Sequence, residues 1–397
     1  MANSLTLIIF ISILFCGSAA GNRAKLFPAK SHGSIAAVVP EDTDGICKSM
    51  VEKHNYVCEE HTVTTQDGYI LSLQRIPVGR SGEFPGNRPP VLLQHGLLMD
   101  GITWLLLPPE QSLAFLLADN GYDVWLANTR GTKYSRGHIS LSPYDPAYWD
   151  WSWDELVAYD LPATYKYVHV QTGQKLHYVG HSLGTLIALA SFSKSQVLNM
   201  LRSAALLCPI AYVGQMTSPL ARNSAQNFLA ETLYRWGILE FDPRGESVIK
   251  FLKDICKRTG QNCCLNSSIV DVFLDHEPQS SSTKNMMHLS QMIREGTITM
   301  FNYNNKDENR KHYGQPTPPV YKMTNIPKHL PLFLSNGGAD ALSDVNDVQL
   351  LLDSLKDHDG DKLVIQYRAD YAHADYVMGE NAKQDVYEPL IAFFKLQ

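Results

Sequence analysis

Residues 180–184 read Gly-His-Ser-Leu-Gly and have the types and spacing of a nucleophilic serine held on a sharp turn. An apolar run with strand character precedes them at 175–179, and an apolar run with helix character follows at 186–190. In this setting the turn lifts the serine hydroxyl above a sheet, where it can attack a carbonyl carbon. A side chain in place of either glycine would collide where the strand meets the helix. We therefore predict that Ser182 is a nucleophile.

A serine hydroxyl needs a base within hydrogen-bond reach, and the base needs an acid that orients it. For a serine on such a turn, the chain order is Ser, then Asp or Glu, then His. Asp340 follows the strand-like run 330–335 and a glycine turn, and His373 follows the next strand-like run, 362–367. We predict Asp340 as the acid and His373, one of 14 histidines, as the base. Asp344 is the alternative acid, and a helix-capping role would suit either aspartate.

The negative charge that develops on the attacked carbonyl oxygen needs fixed hydrogen-bond donors. One donor is expected from the backbone N–H of Leu183, the residue after the nucleophile. The other is expected from the loop after an early strand, where residues 95–98 read His-Gly-Leu-Leu, and we assign it to the N–H of Leu97. This chemistry requires neither a metal nor a cofactor.

Alternating strand-like and helix-like runs, from residue 91 to residue 207, must position these groups. The alternation resumes at residue 330 and continues to the end of the chain. It predicts an α/β protein with a mostly parallel sheet that helices flank on both faces. Two earlier strand-like runs, 59–63 and 69–75, lie on either side of a turn.

One helix of the predicted core carries local signals at its start and in its middle. Ser152 and Glu155 have the spacing of a capping box, so a helix is expected from there toward residue 169. Pro162 predicts a kink or break in it, because proline lacks the N–H that the preceding turn needs.

Between residues 212 and 328 the alternation is absent. Amphipathic helix-like runs at 225–233 and 283–294 are separated by irregular polar sequence such as 302–319. We predict an inserted helical cap or lid that covers the serine. The predicted division is a signal peptide 1–20, an irregular N-terminal segment 21–45, a core in two parts, 46–211 and 329–397, and the cap 212–328.

The N-terminus has the pattern of a secretory signal. An apolar run of eleven residues, 5–15, is followed by small residues, and cleavage is expected near Ala20. A membrane anchor is the alternative, but a spanning helix needs about 20 apolar residues, and no later run is that long. Asn266 opens an Asn-Ser-Ser acceptor and is the predicted glycosylation site.

Six cysteines remain after the predicted signal peptide, and an even count in a secreted chain indicates disulfides. The short-loop pairings are Cys47 with Cys58, and Cys256 with Cys263 or Cys264. Cys208 lies in an apolar run and is a candidate for a buried free thiol. The sequence contains no C-x-x-C pair, which argues against the alternative of a metal site.

The composition excludes several classes of protein. With 397 residues, 44% of them hydrophobic and 10% aromatic, the chain can bury a large core, unlike a disordered or fibrous protein. The formal net charge is -6, and acidic and basic residues are mixed along the chain. Because there is no basic block, nucleic-acid binding is not expected. No obligate protein partner is implied.

The motifs together resemble the acid lipases, a family of gastric and lysosomal lipases with plant relatives, over residues 46–394. Details near the Cys-Cys pair at 263–264 look most similar to plant triacylglycerol lipases. The segments that carry the resemblance are EEHTVTTQDGYILSLQR at 59–75, LLQHGLL at 92–98, YDVWLANTRG at 122–131, YWDWSWDELVAY at 148–159, VGHSLGT at 179–185, GGADALSD at 337–344 and YAHADY at 371–376.

The resemblance implies an α/β-hydrolase core with a helical cap and hydrolysis of neutral-lipid esters at a lipid–water interface. It assigns Ser182, Asp340 and His373 to a catalytic triad, and Leu97 and Leu183 to the oxyanion hole. The leading hypothesis is a serine triacylglycerol lipase, secreted or delivered to a vacuole or lysosome. The alternatives are a hydrolase of steryl or other long-chain esters, and a catalytically silent lipid-binding protein.

Overall fold

The computed structural model describes residues 44–82, 87–243 and 267–397. The strands are β1 (Glu59–Thr64), β2 (Tyr69–Ile76), β3 (Pro90–Gln94), β4 (Asp123–Ala127), β5 (Gly137–His138), β6 (Leu176–His181), β7 (Leu201–Leu207), β8 (Glu240–Phe241), β9 (Ser281–Ser282), β10 (Leu332–Gly337) and β11 (Leu363–Arg368). In this part of the chain, nine strands form one sheet in the order β1-β2-β4-β3-β6-β7-β10-β11, with β5 paired to β2. The strands β4, β3, β6, β7, β10 and β11 are parallel, whereas β2 is antiparallel to its neighbours.

Helices cover both faces of this sheet. The α-helices of the described residues, those of the insertion included, are α1 (Leu113–Asp119), α2 (Trp153–Glu155), α3 (Leu161–Thr172), α4 (Leu183–Ser193), α5 (Pro219–Gln226), α6 (Leu229–Arg235), α7 (Ser267–His276), α8 (Thr283–Glu295), α9 (Lys306–Tyr313), α10 (Val345–Ser354), α11 (Asp375–Met378) and α12 (Glu388–Phe394). On β3, Leu92 packs into one apolar cluster while Val91 and Leu93 pack into the other, because side chains alternate across a strand. The predicted α/β fold with a mostly parallel sheet is confirmed.

Several sequence-based predictions fall on parts of the chain outside the described residues. They are the signal peptide 1–20, nearly all of the segment 21–45, the glycosylation site Asn266, and the pairing of Cys256 with Cys263 or Cys264. Within the described residues, Cys47 and Cys58 form the predicted disulfide, and Cys208 is a buried free cysteine, as expected. No helix in the described ranges has both the length and the apolar character to cross a bilayer.

The capping box predicted at Ser152 is present: the Glu155 carboxylate accepts from the Ser152 backbone N–H at 2.6 Å. The helix that follows continues past Pro162 rather than stopping there. A π-helical turn, Leu156–Asp160, joins α2 to α3, so that the N–H of Leu161 bonds to the Leu156 carbonyl. Pro162 is the second residue of α3 and directly follows this π-helical turn, so the predicted irregularity is present as a π-helical turn and not as a break.

The insertion contains more helix than the sequence pattern indicated. The helix predicted over 225–233 is two helices, α5 and α6, because Phe228 between them adopts a left-handed conformation with φ 52°. The polar stretch 302–319, expected to be irregular, contains α9, which Asn305 caps by accepting from the N–H of Asp307 at 2.8 Å. This helix has too few apolar residues to give an amphipathic signal.

A buried ion-pair network ties the sheet to α3. The Arg130 guanidinium, fully buried after β4, donates to Asp160 at 2.6 Å and to Asp67 at 2.6 Å. Its Cζ lies 3.8 Å from the centre of the Tyr69 ring. Since a buried guanidinium is tolerated only when its donors are paired, this network fixes the turn before β2 against the start of α3.

Candidate active site

Ser182 stands between β6 and α4 in a strained backbone conformation, with φ 53° and ψ −115°. The flanking glycines are required by close approach rather than by flexibility. A Cβ on Gly180 would lie 2.8 Å from the backbone of Gly184, and a Cβ on Gly184 would lie 2.6 Å from the carbonyl oxygen of Gln94. The local sequence thus forces the sharp turn that projects residue 182 from the carboxyl edge of the sheet.

The acid and base that the sequence predicted lie in direct contact. Asp340 follows β10, His373 follows β11, and their strands pair in parallel, so both loops leave the same edge of the sheet. His373 Nδ1 lies 2.8 Å from Asp340 Oδ2. The other carboxylate oxygen, Oδ1, accepts from the backbone N–H groups of Leu342 and Ser343 at 2.8 and 2.9 Å. The carboxylate is therefore held from both sides.

The alternative acid, Asp344, has a different role in the structure. It is the N-cap of α10, and its carboxylate accepts from the Asn346 backbone N–H at 2.9 Å. Asp340 contacts the His373 imidazole, whereas Asp344 caps a helix. The geometry therefore favours Asp340, the residue that the sequence predicted, over the alternative acid Asp344.

The environment keeps Asp340 ionised. Burial opposes ionisation, but the His373 charge, the His373 hydrogen bond and the two backbone donors outweigh it and lower the pKa of Asp340 to about 2. A depressed carboxyl pKa contributes stability that is complete above the ordinary value of 3.8 and is lost as the pH falls through about 2. The acid is thus a carboxylate across the physiological range.

The residue before Ser182, His181, contacts His373 and so brings Ser182 beside the Asp340–His373 pair. The His181 ring lies 4.9 Å from the His373 ring, and His181 Nε2 lies 3.0 Å from the His373 carbonyl oxygen. Among the described residues, no hydrogen bond joins the Ser182 hydroxyl to the His373 imidazole. Nδ1 of His373 faces Asp340, which leaves Nε2 as the nitrogen for a serine proton. Such bonds are often long in structures without substrate.

Leu97 and Leu183, the predicted oxyanion donors, line one cleft. Within the described residues, neither backbone N–H donates to another protein group. The loop that carries Leu97 closes on the nucleophile because Gly96 has no side chain: a Cβ there would lie 3.1 Å from Ser182 Cβ. Two unpaired N–H groups that line one cleft have the chemistry of oxyanion donors.

His95 holds this loop in place. The Thr129 N–H donates to His95 Nε2 at 3.1 Å, so the ring proton is on Nδ1, which donates to the Gly96 carbonyl at 2.8 Å. Burial lowers the pKa of His95 to about 4, so the ring stays neutral and keeps this pattern at neutral pH.

The sequence assigned no role to His181 and considered Cys208 only as a buried thiol. In the structure both lie against the base: Cys208 Sγ is 3.6 Å from the His373 carbonyl, which also bonds to His181. One ligand atom from each of these three side chains falls within 4.8 Å of the others, as in a metal site. Burial raises the pKa of Cys208 well above its ordinary value, so the sulfur of the metal-free protein is a neutral thiol.

Residues from the segment between β7 and β10 contribute to the wall of this cleft. The cleft beside Leu97 and Leu183 has about 230 Å³ of empty space, part of it open to solvent, and its far wall includes Asn285 of α8. Next to it, His288 of α8 stacks on Trp153 with ring centres 4.3 Å apart. The cleft is thus lined by Leu183, the residue after Ser182, and by residues on both sides of the segment boundary at 212.

A buried glutamate anchors the insertion to the loop that follows Leu97. Glu277 Oε1 accepts from the Asp100 backbone N–H at 2.9 Å and from the Thr103 hydroxyl at 3.3 Å. Two residues later, the Gln279 N–H donates to the Leu98 carbonyl at 2.8 Å. Burial, and then the nearby Asp100 charge, raise the pKa of Glu277 well above its ordinary value.

This anchor predicts a pH dependence of stability. A carboxyl with a raised pKa in the folded state contributes stability that is complete below its unfolded pKa and is lost as the pH rises through the folded value. We expect Glu277→Gln, which stays neutral, to reduce the fall in melting temperature between pH 5 and pH 8 by a few degrees. Thermal unfolding measured at both pH values tests this, with the exposed Glu308→Gln as control. Parallel curves for wild type and Glu277→Gln would contradict it.

Comparisons with known proteins agree with this fold. A model described as a partial alpha/beta-hydrolase lipase region matches residues 47–107, and one described as alpha/beta hydrolase fold matches residues 89–366. Triacylglycerol lipase 2 of Arabidopsis thaliana is 51% identical over 382 residues, covering 92% of this chain and 91% of the relative. Gastric triacylglycerol lipase of Rattus norvegicus is 37% identical over 380 residues, covering 91% of this chain and 94% of the relative.

Among solved structures, a soluble variant of monoglyceride lipase from Saccharomyces cerevisiae in complex with a substrate analogue aligns with a TM-score of 0.58. The alignment covers 84% of this chain and 94% of the yeast protein at 14% identity. A match at this level of identity supports the fold alone.

Proposed function

The chain belongs to the α/β-hydrolase lipase family, and from this premise we propose that it is a serine lipase that hydrolyses the carboxylic ester bonds of triacylglycerols. The observation that carries the proposal is the His373–Asp340 contact at 2.8 Å, at the same edge of the sheet as the strained Ser182. The plant relative is similar to this chain over almost its whole length, and its name, Triacylglycerol lipase 2, supports triacylglycerol as the substrate.

In the proposed reaction the Ser182 oxygen attacks the ester carbonyl carbon while His373 Nε2 takes the hydroxyl proton. The tetrahedral intermediate collapses when His373 returns that proton to the leaving alcohol oxygen, and an acyl-enzyme remains on Ser182. Water then attacks the acyl carbon by the same route and releases the fatty acid. Asp340 holds the imidazole in the required tautomer and stabilises its positive charge.

The proposed oxyanion donors are the backbone N–H groups of Leu97 and Leu183. Both lie on the cleft, and both are without a partner among the described residues. Because they are fixed by the turn after Ser182 and by the His95 hydrogen bonds, they cost little reorganisation when charge develops on the substrate oxygen.

We propose that residues 212–328 form a cap between the two parts of the core, 46–211 and 329–397. Two contacts beside the cleft support this division: His288 of α8 stacks on Trp153, and the Ser282 hydroxyl donates to the Trp149 carbonyl. An apolar cover over a serine site suits a water-insoluble acyl ester presented at a lipid–water interface.

A location in the secretory pathway completes the proposal. The apolar N-terminal run predicts a signal peptide, and the Cys47–Cys58 disulfide supports an oxidising compartment. In that compartment Asn266 would be a glycosylation acceptor.

A fluorophosphonate probe and an ester panel test the proposal together. We expect the probe to form a covalent adduct on Ser182, identified by peptide mass spectrometry, and to block turnover of triolein. Faster turnover of cholesteryl oleate than of triolein would favour a steryl-ester hydrolase. The absence of both an adduct and turnover of any ester would favour a lipid-binding protein and overturn the proposal.

A further inference from the structure

The two edge strands of the main sheet differ in the side chains that they expose. β1 and β11 lie at the ends of the strand order. The exposed residues of β1 are polar, Glu60 and Thr62 among them, and such side chains discourage a second chain from pairing with an edge. On β11 the exposed side chains are apolar: Val364 is 40% exposed, Ile365 51% and Tyr367 57%. They favour pairing with another strand rather than prevent it.

The backbone of β11 presents unpaired groups at the same edge. The Leu332 N–H of β10 donates to the carbonyl of Lys362, the residue before β11. Because the direction of the backbone groups alternates along a strand, Ile365 and Tyr367 direct their N–H and C=O groups away from β10. Among the described residues, no hydrogen bond reaches the backbone of these two residues. Donors and acceptors in this spacing are complementary to another β-strand.

A second copy of β11 provides such a strand. Two copies related by a two-fold axis perpendicular to the sheet run antiparallel, and side chains on the same face then lie opposite each other. With Ile365 of each copy opposite Tyr367 of the other, the two most exposed apolar side chains of the strand meet twice, and about four backbone hydrogen bonds form. The assembly closes at two copies, because the other edge of the described sheet, β1, is polar.

Charge favours this register over the next one. Opposite charges that face each other across two strands stabilise the pair, and like charges destabilise it. With Ile365 opposite Tyr367, Lys362 of each copy lies near the exposed Asp370 of the other copy. With Ile365 opposite itself, Lys362 would face Arg368 of the other copy. The charges at the two ends of β11 therefore select the first register.

We propose that two copies of this protein form a dimer through antiparallel pairing of their β11 strands, with Ile365 of each copy opposite Tyr367 of the other. The two main sheets become one continuous sheet, whose remaining edges are the polar β1 strands. The pairing involves none of the proposed catalytic residues, so the dimer does not depend on the proposed function.

Sedimentation velocity of the full chain over a concentration series tests the dimer. Wild type should show a monomer–dimer equilibrium. Ile365→Lys should raise the dissociation constant at least about tenfold, because it replaces an apolar contact that occurs twice with a solvated charge. Thr62→Lys, at an exposed position of the other edge strand, is the matched control and should leave the dissociation constant unchanged. A wild-type protein that is monomeric up to about 100 μM, or a dimer that Ile365→Lys does not weaken, would overturn the proposal.

Charge reversal tests the register. Lys362→Asp and Asp370→Lys should each raise the dissociation constant about threefold or more, because each places like charges near each other across the two copies. The double variant should return the dissociation constant to the wild-type value, since the exchanged charges again attract, and it controls for any loss of folding in the single variants. If the double variant dimerises no better than the single ones, Lys362 and Asp370 do not meet and the proposal is wrong.

Discussion

Replacing Ser182 with alanine should lower kcat for triolein at least about 10⁴-fold, because no acyl-enzyme can form without the hydroxyl oxygen. The residue precedes α4 on a turn that the flanking glycines define, so removing one oxygen leaves the backbone fold intact. Initial rates in a pH-stat assay, with far-ultraviolet circular dichroism and thermal unfolding on the same preparation, measure both effects.

Ser193→Ala is the matched control for this change. Ser193 is a buried serine on α4 whose hydroxyl donates to the Ala190 carbonyl at 2.8 Å, and it lies about three helical turns beyond Ser182. We expect it to retain turnover within about threefold, at a stability cost of roughly 1 kcal/mol. A Ser182→Ala enzyme that is folded and keeps more than about 1% of wild-type activity would rule out residue 182 as the nucleophile.

Asp340→Asn should lower kcat by about 10⁴-fold without unfolding the protein. The amide would donate toward His373 Nδ1, which forces the ring proton onto Nε2, the nitrogen that must accept the serine proton. The amide also cannot stabilise the imidazolium that forms in each step. Single-turnover and steady-state rates with triolein measure the loss.

Asp344→Asn gives the decisive comparison, because the two aspartates are four residues apart and Asp344 was the alternative acid in the sequence. Asparagine caps a helix as well as aspartate does, so this variant should keep both α10 and near-wild-type turnover. If Asp344→Asn loses activity while Asp340→Asn stays active, Asp344 is the acid and the assignment of Asp340 is refuted.

Local sequence patterns predicted most of the core. The turn around Ser182, the alternating strands and helices and the capping box at Ser152 all depend on residues close together in the chain. The prediction of helices was wrong where the backbone conformation or a polar composition departed from the apolar periodicity. The left-handed Phe228 splits one predicted helix in two, and α9 has too few apolar residues for periodicity to mark it.

By itself, the sequence determined that a serine turn, a parallel sheet and an inserted helical segment belong to this protein, because each is written in short-range spacing. Only the tertiary structure decided that Asp340, not Asp344, contacts His373, that His181 and Cys208 hold the same carbonyl, and that Glu277 binds the loop after Leu97. Those contacts join residues tens to hundreds of positions apart. Their geometry depends on how loops at one sheet edge direct their side chains, which no periodicity along the chain encodes.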